Sequence, residues 1–150
     1  MANKPVTYHN ILWADDDADD LFIVREVMSN LKEKHEVVEL NNGRQVLDYL
    51  NSIKPPADLP CLIILDINMP ILNGKETLAI IKSEERFNSV TVAVFSTSSS
   101  EKDRQFCERF GARMFTKPHS YAGFQKLVSE LLSLCKIQHS DQPELRKAAK

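Results

Sequence analysis

Residues 62–70 read LIILDINMP. Leu62 to Leu65 is aliphatic throughout, the composition of a parallel strand covered on both faces, and it runs directly into Asp66. A charge at the end of a buried element is costly unless something compensates it. The fold and the chemistry of this chain therefore both turn on what faces Asp66.

Working outward, five runs have strand character: NILWA (10–14), EVVEL (36–40), CLIIL (61–65), VTVAVF (90–95) and RMFT (113–116). Between and after them, apolar residues recur at three- and four-residue steps, the period of an amphipathic helix. These are Leu21, Val24, Met28 and Leu31 in 17–32; Val46 and Leu50 in 43–52; Leu78 and Ile81 in 75–84. Phe106 and Phe110 do the same in 100–110, and Phe124, Leu127, Val128, Leu131 and Cys135 in 121–136. Asn41-Asn42-Gly43, Pro55-Pro56, Asn73-Gly74 and Gly111 punctuate the pattern as turns or caps. Strand then helix, five times over, predicts an α/β sandwich about a parallel sheet. The expected division is one domain over 1–138 and a polar tail over 139–150, with IKPPADLP (53–60) a loop before the third strand.

The chain has 150 residues, 43% of them apolar and 27% charged, with a net charge of −2. That balance gives no electrostatic case for binding nucleic acid or a membrane surface. MANKPVTYHN has no apolar core of the kind a secretory signal needs, and no aliphatic run approaches membrane-spanning length. Cys61, Cys107 and Cys135 show no CxxC spacing and are expected as reduced core thiols of a cytoplasmic protein. His9, His35, His119 and His139 have no metal-ligand spacing.

In doubly wound sheets, functional groups collect beyond the carboxyl ends of the strands. The first strand ends in Asp15-Asp16-Asp17, the third in Asp66, the fourth in Ser96-Thr97 and the fifth in Lys117-Pro118. Singly, each has a plain structural reading. DDDADD (15–20) is a helix cap and acidic first turn; STSSS (96–100) is a turn, with Ser98 or Ser99 capping the next helix; Lys117 is a solvated lysine. Their arrival together at strand ends points to a site instead. Asp15, Asp16 and Asp66 within a few ångströms resist joint ionisation, and Mg²⁺, which takes oxygen ligands and shares its sites with phosphate, resolves the repulsion. With a lysine and a hydroxyl alongside, Asp66 is placed to accept a phosphoryl group as a nucleophile.

These residues resemble those of a response regulator receiver domain, the phosphoacceptor module of two-component signalling, over roughly residues 8–137. Asp15 and Asp16 match the acidic pair that holds Mg²⁺, Asp66 the phosphorylated aspartate, and Asn68 the position whose backbone carbonyl completes the metal site. Ser96 matches the Ser/Thr switch position, with Thr97 the small residue after it; both would meet the phosphoryl group with Lys117. Gly74 matches the glycine opening the third helix. Lys117-Pro118 matches a pair that carries a cis peptide bond in the family. The family's Tyr or Phe three residues before the lysine is here Met114, a flexible side chain able to enter vacated space, so the switch falls to Ser96 and Met114.

The resemblance implies a flavodoxin-like (βα)5 sandwich of strand order 2-1-3-4-5. It also implies a stand-alone response regulator, because no effector follows residue 138, and one that catalyses its own phosphorylation and dephosphorylation without being an enzyme on other substrates. The phosphodonor would be a histidine kinase or histidine phosphotransfer protein. Output would be to a downstream protein through the face of the fourth helix, fifth strand and fifth helix, with Met114, Lys102 and Arg113 as contacts, acting as a monomer or a phosphorylation-linked homodimer. A phosphorelay intermediate without its own output is the alternative within the family. A haloacid-dehalogenase-type phosphatase wants an acid two residues after its nucleophile, where this chain has Asn68. An FMN-binding flavodoxin wants a hydroxyl-rich phosphate loop where this chain has DDDADD.

Overall fold

The structure is a computed structural model that describes residues 10–32, 35–98 and 100–140, the side chains of 136–140 excepted. Strand and helix alternate: β1 Asn10–Ala14, α1 Ala18–Ser29, β2 Glu36–Leu40, α2 Gly43–Ser52, β3 Leu62–Asp66, α3 Gly74–Ser83, β4 Val92–Ser96, α4 Glu101–Arg109, β5 Arg113–Thr116 and α5 Tyr121–Ser140. The strands form one sheet of order β2-β1-β3-β4-β5, every neighbouring pair parallel. This is the flavodoxin-like arrangement implied by the sequence. The chain reverses its direction of travel across the sheet between β1 and β3, so the crevice expected at such a switch point opens at the ends of these two strands.

Strand alternation sorts the core into two layers. Leu12, Ala14, Ile63, Leu65, Val92, Val94 and Met114 pack with Val46, Leu50, Leu78, Ile81 and Cys107 of α2, α3 and α4. Ile11, Trp13, Leu62, Ile64, Ala93 and Phe95 pack with Leu21, Val24, Val27, Phe124, Leu127, Val128 and Leu131 of α1 and α5. Every residue of β3 and of β4 is buried, which is why these two strands are apolar on both faces up to their last residues. Each such Leu or Ile contributes about 1.5–3 kcal/mol relative to exposure.

Several expectations are corrected. β3 and β4 each run one residue further than their apolar stretches, so Asp66 and Ser96 are strand residues paired with Phe95 and Thr116. A polar side chain does not stop the backbone ladder, which continues as Ile67 N–H to Phe95 O and Lys117 N–H to Ser96 O. The N-cap of α4 is Ser100, whose Oγ accepts from Asp103 N, rather than Ser98 or Ser99; Ser99 lies outside the described residues. α5 continues to Ser140 because no Gly or Pro interrupts it there. It thereby takes in the first two residues of the expected tail, whose remainder lies outside the described residues. Among the described residues the cis peptide bond is Pro55–Pro56, while Lys117–Pro118 is trans.

The cysteines depart furthest. Cys61 and Cys135 form a disulfide with Cα atoms 5.4 Å apart, and among the described residues only Cys107 is a free, buried thiol. Their sequence separation of 74 residues gave no sign of proximity. Packing α5 across the start of β3 brings them together.

Candidate functional site

At the carboxyl end of β1, Asp15 is fully buried. Its backbone N–H donates to Leu40 O at 3.0 Å, and its Oδ1 accepts from Asp17 N at 2.9 Å. Asp17 is itself the N-cap of α1, its carboxylate accepting from Asp19 N and Asp20 N. The acidic run thus serves both readings: one residue caps the helix and its neighbours are free for other work. Asp16 is exposed at the rim.

Asp66 ends β3, 4% exposed, and its Oδ1 accepts from Asn68 N at 3.2 Å. The segment after it folds back through Gly74, whose N–H donates to Ile67 O, with α3 started by the reciprocal Asn73–Glu76 capping box. A Cβ at Gly74 would press on the Asp66 carbonyl oxygen and Ile67 Cα, so the absence of a side chain lets α3 approach the strand that carries Asp66.

Asp15, Asp16 and Asp66 each present an oxygen within 4.8 Å of the others. Asp15 Oδ2 is buried and accepts no hydrogen bond, although Lys117 Nζ stands 3.3 Å away. Burial is the main reason the Asp15 carboxyl is pushed up to about 7; the bond from Asp17 N–H opposes this, neighbouring Asp66 adds to it and Lys117 opposes it. A buried oxygen without a donor, in an all-oxygen group of carboxylates, fits a hard divalent cation.

Lys117 follows β5 and reaches back across the crevice. Its Nζ lies 2.8 Å from Asp20 Oδ2, 3.2 Å from Asp66 Oδ2 and 3.3 Å from Asp15 Oδ2, and 4.9 Å from the centre of the Phe95 ring. Burial alone would depress this ammonium. The hydrogen bond to Asp20, followed by the charges of Asp15 and Asp66, more than reverses that and raises it above the ordinary lysine range. Ser96 is buried beside it, with Oγ accepting from Ser98 N at 3.2 Å. Thr97 is exposed and lines a cleft of about 330 Å³ with Asp17, Asp20, Lys117 and His119.

The structure therefore brings Asp15, Asp16, Asp66 and Lys117 into one group, with Ser96, Thr97 and Asn68 around it. It places Met114 elsewhere: buried in the layer under α3 and α4, among Val94 and Cys107, while Phe115 faces the opposite layer. Met114 is thus no surface contact, whereas Lys102 and Arg113 are exposed. One site residue escaped the sequence reading. Asp20 makes the shortest of the three ion pairs to Lys117, and the clue was its position four residues after Asp16, because helical side chains lean toward the helix N-terminus and so toward the crevice.

The response regulator receiver domain family matches residues 11–129. Among curated proteins, the chain is 34% identical over 100 residues to response regulator Rcp1 of Synechocystis, covering 62% of this chain and 65% of that one. It is 27% identical over 124 residues to the probable methanogenesis regulatory protein FilR2 of Methanothrix harundinacea, covering 81% of this chain and 79% of FilR2. It spans between 32% and 43% of several longer relatives. Among solved structures, the phosphorylated cyanobacterial phytochrome response regulator RcpA superposes with a TM-score of 0.74 at 28% identity, over 85% of this chain and 96% of RcpA. The Mn²⁺-bound form of Rcp1 superposes with a TM-score of 0.72 at 28% identity, over 83% of this chain and 92% of that one. With the acidic crevice and its lysine at the ends of β1, β3 and β5, these matches establish that the chain belongs to the response regulator receiver domain family.

Proposed function

We propose that this chain is a receiver that accepts a phosphoryl group on Asp66 and signals by protein contact. The observation that carries the reading is the setting of Asp66. It is a nearly buried carboxylate with Lys117 Nζ at 3.2 Å and the oxygens of Asp15 and Asp16 within 4.8 Å. Asp15, Asp16, Asp66 and the backbone carbonyl of Asn68 would hold Mg²⁺. Bound there, Mg²⁺ supplies positive charge against the crowded carboxylates and the incoming phosphoryl oxygens.

In the transfer, Asp66 Oδ attacks phosphorus, the phosphorus–nitrogen bond of a phosphohistidine donor breaks, and the imidazole keeps the electron pair and takes up a proton. Lys117 balances charge on the phosphoryl oxygens while the Ser96 hydroxyl and Thr97 donate hydrogen bonds to them. Hydrolysis of the acyl phosphate returns the free carboxylate, so the protein serves its own modification and no other substrate. The donor would be a histidine kinase or histidine phosphotransfer protein of the cytoplasm. Ser96 and Met114 would pass occupancy to the surface of α4, β5 and α5, which a downstream protein or a second copy reads. Met114 supports this by sitting in the layer that β5 shares with α4.

The test is incubation with acetyl phosphate or phosphoramidate, with and without Mg²⁺, followed by intact mass. One phosphoryl group is expected, dependent on Mg²⁺ and absent from Asp66→Asn. An adduct of equal yield on Asp66→Asn would place the chemistry elsewhere.

A further inference from the structure

Asp20 is not one of the residues assigned a role above, yet it holds the reactive lysine more closely than any other carboxylate. Its Oδ2 is 2.8 Å from Lys117 Nζ, and both side chains are largely shielded, 16% and 10% exposed. The Lys117 ammonium has three N–H donors, and its three carboxylate neighbours are Asp20, Asp66 and Asp15. Asp15 and Asp66 belong, with Asp16, to the cluster whose oxygens lie within 4.8 Å of one another; Asp20 does not. It comes from the first turn of α1, fixed by the Asp17 cap that binds the backbone N–H groups of Asp19 and Asp20.

We infer that Asp20 is a positioning residue: it anchors the Lys117 ammonium over the phosphoacceptor independently of the carboxylates that phosphoryl transfer occupies. Resting on the phosphoacceptor reading of Asp66, this deepens that reading. The charges of Asp15 and Asp66 are the ones a cation or an arriving phosphoryl group engages, so their hold on Lys117 lapses when the site is in use. The hold of Asp20 persists. It keeps a four-carbon flexible chain, with several rotatable bonds to freeze, aimed at the position where phosphoryl oxygens develop charge. Phe95, beneath the ammonium at 4.9 Å, limits its movement from another side.

The experiment compares wild type, Asp20→Asn, Asp20→Glu and Asp19→Asn in Mg²⁺ with phosphoramidate, reading the phosphorylation rate by intact mass. The Lys117 ammonium is followed by ¹H–¹⁵N spectroscopy. Asp19 is exposed in the same helical turn and touches none of these groups, so Asp19→Asn removes an equal charge from the helix start and controls for loss of helix stability. Asp20→Asn is expected to slow phosphorylation about tenfold, the scale of one charge-assisted hydrogen bond, and to broaden the Lys117 ammonium signal. Asp20→Glu should restore most of the rate, and Asp19→Asn should match wild type. If wild type is phosphorylated and Asp20→Asn keeps both its rate and its Lys117 signal, the positioning role is overturned while the receiver reading stands. Equal slowing in Asp19→Asn and Asp20→Asn would also overturn it, in favour of a helix effect. If wild type takes no phosphoryl group at all, the receiver reading falls and takes the positioning role with it.

Discussion

Lys117 Nζ stands 3.2 Å from Asp66 Oδ2 across 51 residues of sequence, at the bottom of a crevice where two more carboxylates, Asp15 and Asp20, compete for the same cation. The two partners carry opposite stakes in stability. Lys117→Met strands the buried carboxylates without their cation and, without divalent metal, should cost about 3–5 kcal/mol. Asp66→Asn removes one of the repelling charges and leaves Lys117 paired with Asp15 and Asp20, so its unfolding midpoint should be no lower than wild type. Urea titrations in EDTA measure both; a destabilised Asp66→Asn alongside an unaffected Lys117→Met would reverse the electrostatic picture.

Asp15 predicts a pH dependence of the metal-free protein. Its carboxyl is raised from an ordinary 3.8 to about 7 in the folded state, so between these values the folded chain binds more protons than the unfolded one. Where that holds, stability falls as pH rises. The contribution of Asp15 is therefore greatest below about pH 4, declines through the interval and is level above 7. Asp15→Asn should flatten this slope in EDTA, as read from urea midpoints at a series of pH values. A slope unchanged in the variant would assign it to another group.

The Cys61–Cys135 link closes a loop of 74 residues and ties α5 to the start of the central strand β3, the end of that strand remote from Asp66. Denatured without reductant, the protein should show one reactive thiol, Cys107, and after reduction three. In the folded protein Cys107 should react slowly, since burial pushes its thiol up. On chain entropy, reduction should lower stability by up to about 4 kcal/mol. Three reactive thiols before reduction would show the bridge to be absent in solution.

Ile71 is 78% exposed and adopts a φ of 69° at the centre of a three-residue turn closed by Leu72 N–H donating to Pro70 O, a conformation that a β-branched residue rarely takes. Glycine, without a Cβ, takes positive φ at no steric cost. Ile71→Gly should therefore raise stability by about 1 kcal/mol, a melting temperature higher by about 2–4 °C for a chain of this size. Calorimetry decides it; a lower melting temperature would mean that Ile71 makes a contact worth more than its strain.

The division between what sequence determined and what tertiary structure decided follows from the range of the forces involved. Strand and helix identities, both faces of β3 and β4, and the acidic, hydroxyl and lysine positions at strand ends were legible, because hydrophobic period and strand termini are local properties. So was the sheet order, once the motifs had brought in the family resemblance. The apolar runs stop one residue short of the strand ends at Asp66 and Ser96, where the backbone ladder outlasts the apolar side chains. Asp20 appeared as one more acid in DDDADD until α1 leaned it toward Lys117 from the far end of the chain. The pairing of Cys61 with Cys135 and the burial of Met114 away from the crevice depend on which helix crosses which strand. These are contacts between distant segments, and only the packed sheet brings their partners within reach.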